Sequence, residues 1–164
     1  MAVNRLSGSP IRRTLTRAAL VCTAAAAALG LAGTDAMADS AAATFTLGQG
    51  DWWAGSSVSS SNTHLDFQSD GNLVLYANSG RVLWASGTDG RGVTHVDWSA
   101  SGYVKLQDSN NNTLCTVGKL SPAAGGRAMV QDDGNLVFYR SNGSVAWASD
   151  TSGFAQGNTN YCYS

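Results

Sequence analysis

QSDGNLVLY at 68–76 and QDDGNLVFY at 131–139 are two copies of one pattern, Gln-x-Asp-Gly-Asn-Leu-Val-x-Tyr. Their glycines, Gly71 and Gly134, stand 63 residues apart, and each copy is followed at one offset by a tryptophan, Trp84 in LWASGT and Trp147 in AWASDT. Matched side-chain types at matched offsets make this an internal repeat. What is repeated is a set of amides, carboxylates and phenols around a valine, with no obvious nucleophile or metal cage.

A degraded third copy lies halfway. Aligning Gly102 with Gly71 and Gly134 gives spacings of 31 and 32 residues. Val104 and Leu106 then match Leu73 and Leu75, and also Leu136 and Phe138. The polar positions do not carry over: Ser99, Ser101, Tyr103, Lys105 and Gln107 replace Gln, Asp, Asn, Val and Tyr. Cys115 takes the slot of Trp84 and Trp147. A threefold fold with one silent site would look like this.

The apolar alternation over 65–76 and over 129–139, broken by Asp-Gly, predicts antiparallel strand pairs. A two-residue loop would put Gln68 and Val74 on opposite faces. A three-residue loop Asp70-Gly71-Asn72, pairing Ser69 with Leu73, keeps Phe67, Leu73 and Leu75 on one face and Gln68, Val74 and Tyr76 on the other. Gly71 supplies the positive φ such a turn needs. The same parity buries Val130, Leu136 and Phe138. Each repeat is too small to stand alone, so three sheets are expected to share one core filled by Trp84 and Trp147. Asn110 to Asn112 and Ser141-Asn142-Gly143 read as hairpin tips, and 152–164 as a weakly patterned tail.

Residues 1–38 read as a secretory signal: Arg5, Arg12, Arg13 and Arg17, then apolar Ala18 to Leu31, then Ala36-Met37-Ala38. Either a general or a twin-arginine export route fits, and Cys22 falls within the discarded part. The mature chain, 39–164, divides into repeats over about 44–86, 87–117 and 118–150. It carries six Lys/Arg against ten Asp and no Glu, so its net charge is near −4. That balance argues against a nucleic-acid or anionic-membrane partner, and nothing in it suggests membrane insertion. Val, Thr, Trp, Tyr, Ser, Gly and Asn dominate, the composition of a turn-rich all-β fold. In an exported chain Cys115 and Cys162 are expected to form a disulfide. Closing a loop of nearly fifty residues, it would stabilise the fold by about 4 kcal/mol on the loop-entropy account.

The pattern Gln-x-Asp-x-Asn-x-Val-x-Tyr resembles the mannose-binding motif of the bulb-type lectins, the monocot mannose-binding or β-prism II family. The likeness covers essentially the whole mature chain, with Leu47-Gly48-Gln49-Gly50 similar to that family's first-strand entry. It implies a β-prism II fold of three antiparallel sheets. It further implies that Gln68, Asp70, Asn72 and Tyr76 hydrogen-bond the hydroxyls of a mannose ring while Val74 touches its apolar edge. Gln131, Asp133, Asn135, Tyr139 and Val137 would do the same in a second site. No metal or other cofactor is implied. Family members often dimerise by exchanging C-terminal strands, which implies a homodimer through the tail as one option. The Cys115–Cys162 pairing departs from the family, where a disulfide can lie within one repeat.

The chemistry agrees with that implication. A sugar hydroxyl both donates and accepts, so its site needs an acceptor-only carboxylate beside amides and a phenol. Four such bonds, at about 0.5–1.5 kcal/mol net each and reduced by the cost of association, suggest roughly millimolar affinity for one monosaccharide. Several plainer readings stand beside it. Turn-forming Asp-Gly-Asn needs no ligand. One of Trp52 and Trp53 is expected in the core and its neighbour partly exposed, His64 and His95 exposed, and Gly55 to Asn62 a flexible turn. An enzyme is disfavoured, because glycosidases need two carboxylates about 5–10 Å apart and Asp132 and Asp133 would point to opposite faces of a strand. A secreted protein-binding module, an inhibitor or a lectin-like bacteriocin, is the alternative function.

Overall fold

The computed structural model describes residues 42–156. The proposed signal over 1–38, Cys22 and Cys162 lie outside the described residues. Three short strands come first: β1 (Ala43–Thr46), β2 (Gly50–Trp53) and β3 (Ser57–Ser59). Then follow three triplets: β4 (Thr63–Phe67), β5 (Leu73–Ala77) and β6 (Val82–Ala85); β7 (His95–Trp98), β8 (Val104–Gln107) and β9 (Thr113–Val117); β10 (Arg127–Val130), β11 (Leu136–Tyr139) and β12 (Val145–Ala148). A 3₁₀ turn, Ser152–Phe154, ends the described chain.

Three four-stranded antiparallel sheets result, in the orders β3-β4-β5-β6, β2-β7-β8-β9 and β1-β10-β11-β12. Each triplet thus forms three strands of one sheet, and the segment before Thr63 lends the fourth to each sheet in turn. The serine-rich stretch expected to be a flexible turn supplies one of these edges. Ser57, Val58 and Ser59 pair with Asp66, Leu65 and His64, and the alternation lets Val58 pack against the core while both serines face out.

The apolar faces meet in one core. Leu65, Phe67, Leu73 and Leu75 of the first sheet, Val96, Trp98, Val104 and Leu106 of the second, and Val130, Leu136 and Phe138 of the third are all buried. Removing each such side chain from water stabilises the fold by about 1.5–3 kcal/mol. Trp84 pairs with Leu75, Trp147 with Phe138, and Cys115 with Leu106, so the three occupy one slot as the alignment predicts. Trp84 is fully buried, whereas Trp147 is only partly buried and meets its indole edge-on at 5.7 Å. The middle sheet, with a cysteine in that slot, buries Trp98 where the others place Phe67 and Val130.

Polar contacts staple the first and third sheets together. The Ser61 N–H donates to Asp132 Oδ1 at 2.5 Å, Asn62 Nδ2 to the Asp132 carbonyl at 3.2 Å, and Thr63 Oγ1 to the Gln131 carbonyl at 2.8 Å. Burial alone would raise the Asp132 carboxyl, but hydrogen bonds from Ser60, Ser61 and Asn62 outweigh it and hold it below the ordinary 3.8. In the β8–β9 hairpin the Asn112 side-chain amide, then the Asn112 backbone N–H, hold Asp108 below 3.8 as well. A carboxylate whose pKa falls on folding stabilises the native state above its unfolded pKa, and that contribution disappears as pH drops through the folded value. The expected result is a melting temperature, followed by circular dichroism, that declines below pH 3.8. Asp132→Asn should flatten part of the decline; identical profiles for the two chains would contradict this account.

Candidate functional site

The motif loops have the expected three residues but begin one residue earlier than the sequence suggests. Phe67, not Ser69, pairs with Leu73. The Gln68 N–H donates to the Asn72 carbonyl at 2.9 Å and the Gly71 N–H to the Gln68 carbonyl at 3.1 Å, so the loop is Ser69-Asp70-Gly71. Asp70 Oδ1 accepts the Asn72 N–H at 2.9 Å, an Asx turn that draws Asn72 into the closing pair. Gly71, at φ 89°, completes it. Even pairing is retained, so the faces fall as expected: Phe67, Leu73 and Leu75 inward, Gln68, Val74 and Tyr76 outward. The loop over 131–135 repeats the geometry, with 2.9 Å from Gln131 N–H to the Asn135 carbonyl and 3.0 Å from Asn135 N–H to Asp133 Oδ1.

On that outer face the ends of each motif meet. Gln68 Nε2 donates to Tyr76 Oη at 2.8 Å, and Gln131 Nε2 to Tyr139 Oη at 3.0 Å. Asp70 and Asp133 are exposed at the loop tips. Val74 and Val137, each only 2% exposed, form the floors between them and offer a ligand little area.

Asn72 has a role that the motif alone does not disclose. Its Oδ1 accepts from Ser86 Oγ at 3.0 Å, the Gly87 N–H at 3.0 Å and the Thr88 N–H at 3.3 Å. Thr88 Oγ1 also donates to the Gly71 carbonyl at 2.7 Å. Only the Asn72 amide nitrogen is left to face outward chemistry. Asn135 does likewise with Ser149 Oγ at 2.9 Å and the Thr151 N–H at 3.3 Å. The recurring Trp-Ala-Ser-x-Thr carried this signal: its Ser and Thr clamp the motif loop. In the middle repeat Val117 and Lys119 stand at those positions, and motif and clamp are lost together.

The middle face is closed on itself. Lys105 Nζ lies 3.0 Å from Asp97 Oδ2 and 5.8 Å from the centre of the Tyr103 ring. Gln107 Nε2 donates to the Asn111 carbonyl at 3.0 Å. Nearby, Trp52 packs against Phe45 and Trp98 while Trp53 is 59% exposed, the division expected of that pair. His95 is not exposed: the Trp53 indole stacks over it at 4.9 Å and leaves it 2% accessible. His64 is half-buried on β4, stacked on Tyr76 at 5.2 Å.

Among the described residues no group of three or more His, Cys, Asp or Glu could hold a metal ion. Asp132 and Asp133 diverge, the first to the β3–β4 turn and the second to Asn135 N–H and, at 2.7 Å, Ser152 Oγ. Cys115 is fully buried on β9, and its proposed partner Cys162 lies outside the described residues.

No protein-family model and no curated protein matches the sequence. Solved structures do. A monomeric monocot mannose-binding lectin from Gastrodia elata superposes with a TM-score of 0.57 at 27% identity, over 66% of this chain and 97% of that one. Polygonatum cyrtonema lectin, solved with a monomannoside, gives 0.50 at 25% identity over 66% and 96%. A Marasmius oreades lectin gives 0.59 at 21% identity over 68% and 92%, a likeness of fold alone. Three four-stranded antiparallel sheets around one core are the β-prism II architecture of the bulb-type lectins.

Proposed function

We propose that this chain, which has the bulb-type lectin fold, is a secreted carbohydrate-binding protein that takes mannose or mannose-rich glycans in two sites. One comprises Gln68, Asp70, Asn72, Val74 and Tyr76, the other Gln131, Asp133, Asn135, Val137 and Tyr139. The observation that carries the reading is that both sets adopt one hydrogen-bonded arrangement on an outer sheet face, while the third is filled by its own Lys105–Asp97 pair. The mannose-binding name of the Gastrodia relative and the monomannoside held by the Polygonatum one support the choice of sugar. In each site the carboxylate would accept from ring hydroxyls, the Asn Nδ2 would donate, and the Gln–Tyr pair would serve hydroxyls that both give and receive. No step of bond making is required, and the reading is of a binding protein, not an enzyme.

Weak single sites favour clustered or branched glycans, because engaging both sites of one chain multiplies the affinity. The Cys115–Cys162 bridge, the 1–38 signal and a homodimer through the tail belong to the same proposal. The protein-binding alternative would use the exposed Leu120 and Val145, 79% and 53% accessible. It predicts a captured partner that excess methyl mannoside leaves in place.

The decisive experiment is calorimetric titration with methyl α-mannoside of the native chain and of Asp70→Asn plus Asp133→Asn. Asparagine retains the acceptor that closes each turn and removes the charge. Charge-assisted bonds contribute about 1.5–3 kcal/mol, so affinity should fall at least about tenfold. Native stoichiometry should be two sugars per chain. Undiminished binding in the double variant would defeat the assignment.

A further inference from the structure

We propose that the outer face of β3 and β4, beside the 68–76 motif, is a second sugar subsite. On the carbohydrate reading above, this site then takes two linked hexose units and the 131–139 site takes one. The two motifs match in every specified residue, so a difference between them must come from the strands alongside.

A cavity of about 730 Å³ opens there, lined among others by Ser57, Ser59, His64, Asp66, Gln68 and Ser69. That volume falls within the range of small-molecule sites, about 300–1,000 Å³. Strand register makes it continuous with the motif. Ser57 pairs with Asp66 and Asp66 with Val74; Ser59 pairs with His64 and His64 with Tyr76. Paired residues share a face, so all six side chains look outward together. Gln68 joins the two parts, lining the cavity while its amide donates to Tyr76 Oη.

The lining suits neutral hydroxyls. Asp66 Oδ1 accepts from Ser57 Oγ at 2.5 Å, and its other oxygen stands 3.6 Å from His64 Nε2. A carboxylate has about four acceptor positions, so it retains capacity for a ligand. His64 is held from both sides, by Asn78 Oδ1 at 3.0 Å from Nδ1 and by the Tyr76 ring beneath. The side chains of His64 and Asp66 remain 28% and 32% exposed, reachable yet positioned.

The third sheet places different chemistry at the same positions. Met129 pairs with Val137 and Arg127 with Tyr139, with Thr44 and Thr46 on the edge strand. A thioether stands for the carboxylate. The guanidinium, 5.0 Å over the Tyr139 ring, donates only. Two more hydroxyl contacts of ordinary net strength would give the first site about a tenfold preference for a disaccharide.

The test separates the two sites. Asp133→Asn leaves the 68–76 site, and Asp70→Asn leaves the 131–139 site. Each chain is titrated with methyl α-mannoside and with a panel of methyl dimannosides covering the α linkages. In the Asp133→Asn chain the best dimannoside should bind about tenfold tighter than the monosaccharide; in the Asp70→Asn chain the ratio should stay within about twofold. Adding Asp66→Met to the first chain should collapse its ratio to that of the second, and adding Ser57→Ala should lower it in the same direction. Equal ratios in the two single-site chains, or a ratio that survives Asp66→Met and Ser57→Ala, would remove the subsite while leaving monosaccharide binding in place. Failure of either chain to bind any mannoside would instead bring down the carbohydrate reading, and the subsite with it.

Discussion

Gly102→Ala is expected to destabilise the fold by about 2–5 kcal/mol. Gly102 sits at φ 88° in the middle repeat, and its carbonyl accepts the Ala123 N–H at 2.7 Å. An added Cβ would stand 2.1 Å from the Ala124 nitrogen and 2.3 Å from the Ala123 carbonyl carbon. Those are backbone atoms, which cannot swing aside as a flexible side chain does. The left-handed conformation costs about 1–2 kcal/mol for an L residue, and overpacking adds about 1–3 kcal/mol or more. The sum is a large share of a total stability of about 5–15 kcal/mol. Gly80→Ala isolates the conformational part, since Gly80 has φ 88° and nothing within 4 Å of the added carbon. Urea melts should place Gly102→Ala well below Gly80→Ala, and coincident midpoints would refute the packing argument. The glycine of the degraded motif thus acts as a wedge in the fold.

Asn72→Ala is expected to cost both stability and binding. It strips the common acceptor from Ser86 Oγ and from the N–H groups of Gly87 and Thr88, and Ser86 and Thr88 are fully buried. An unsatisfied buried donor costs about 1–3 kcal/mol; with partial rescue by water, a total near 3 kcal/mol is expected. Sugar affinity at the 68–76 site should vanish as well, because the loop that aims Asp70 is no longer clamped. Asn72→Asp discriminates the two roles: it keeps an acceptor for the clamp but removes the outward amide donor. Its melting midpoint should stay near native while its mannoside affinity falls. Equal destabilisation by Ala and Asp would show that the clamp is not what Asn72 provides.

Much of this molecule was legible in its sequence because period-2 alternation and the doubled motif are local signals. They placed Phe67, Leu73 and Leu75 inward, Gln68, Val74 and Tyr76 outward, and Cys115 in a tryptophan slot. The loop boundary is not legible in the same way, because Asp70 closes an Asx turn that composition alone does not distinguish from a turn beginning at Asp70. The burial of His95 leaves no local trace in the sequence, because what covers it, Trp53, arrives from a strand more than forty residues earlier. β3, a serine-rich strand with one valine, carries almost no pattern of its own; only pairing with Asp66, Leu65 and His64 defines it. The Ser and Thr after each tryptophan were visible as a repeat, but their purpose required seeing which carbonyls and amides they reach.

The loan of one edge strand to each lobe from the first residues of the prism governs how a nascent chain reaches its native form. β1 must wait for Val130 and its neighbours, nearly ninety residues later, before it has a partner. Contacts so remote slow folding, since loop closure comes before any reward. The prism therefore closes only when its last third has emerged, and the carboxyl-terminal lobe arrives to claim a strand made at the outset.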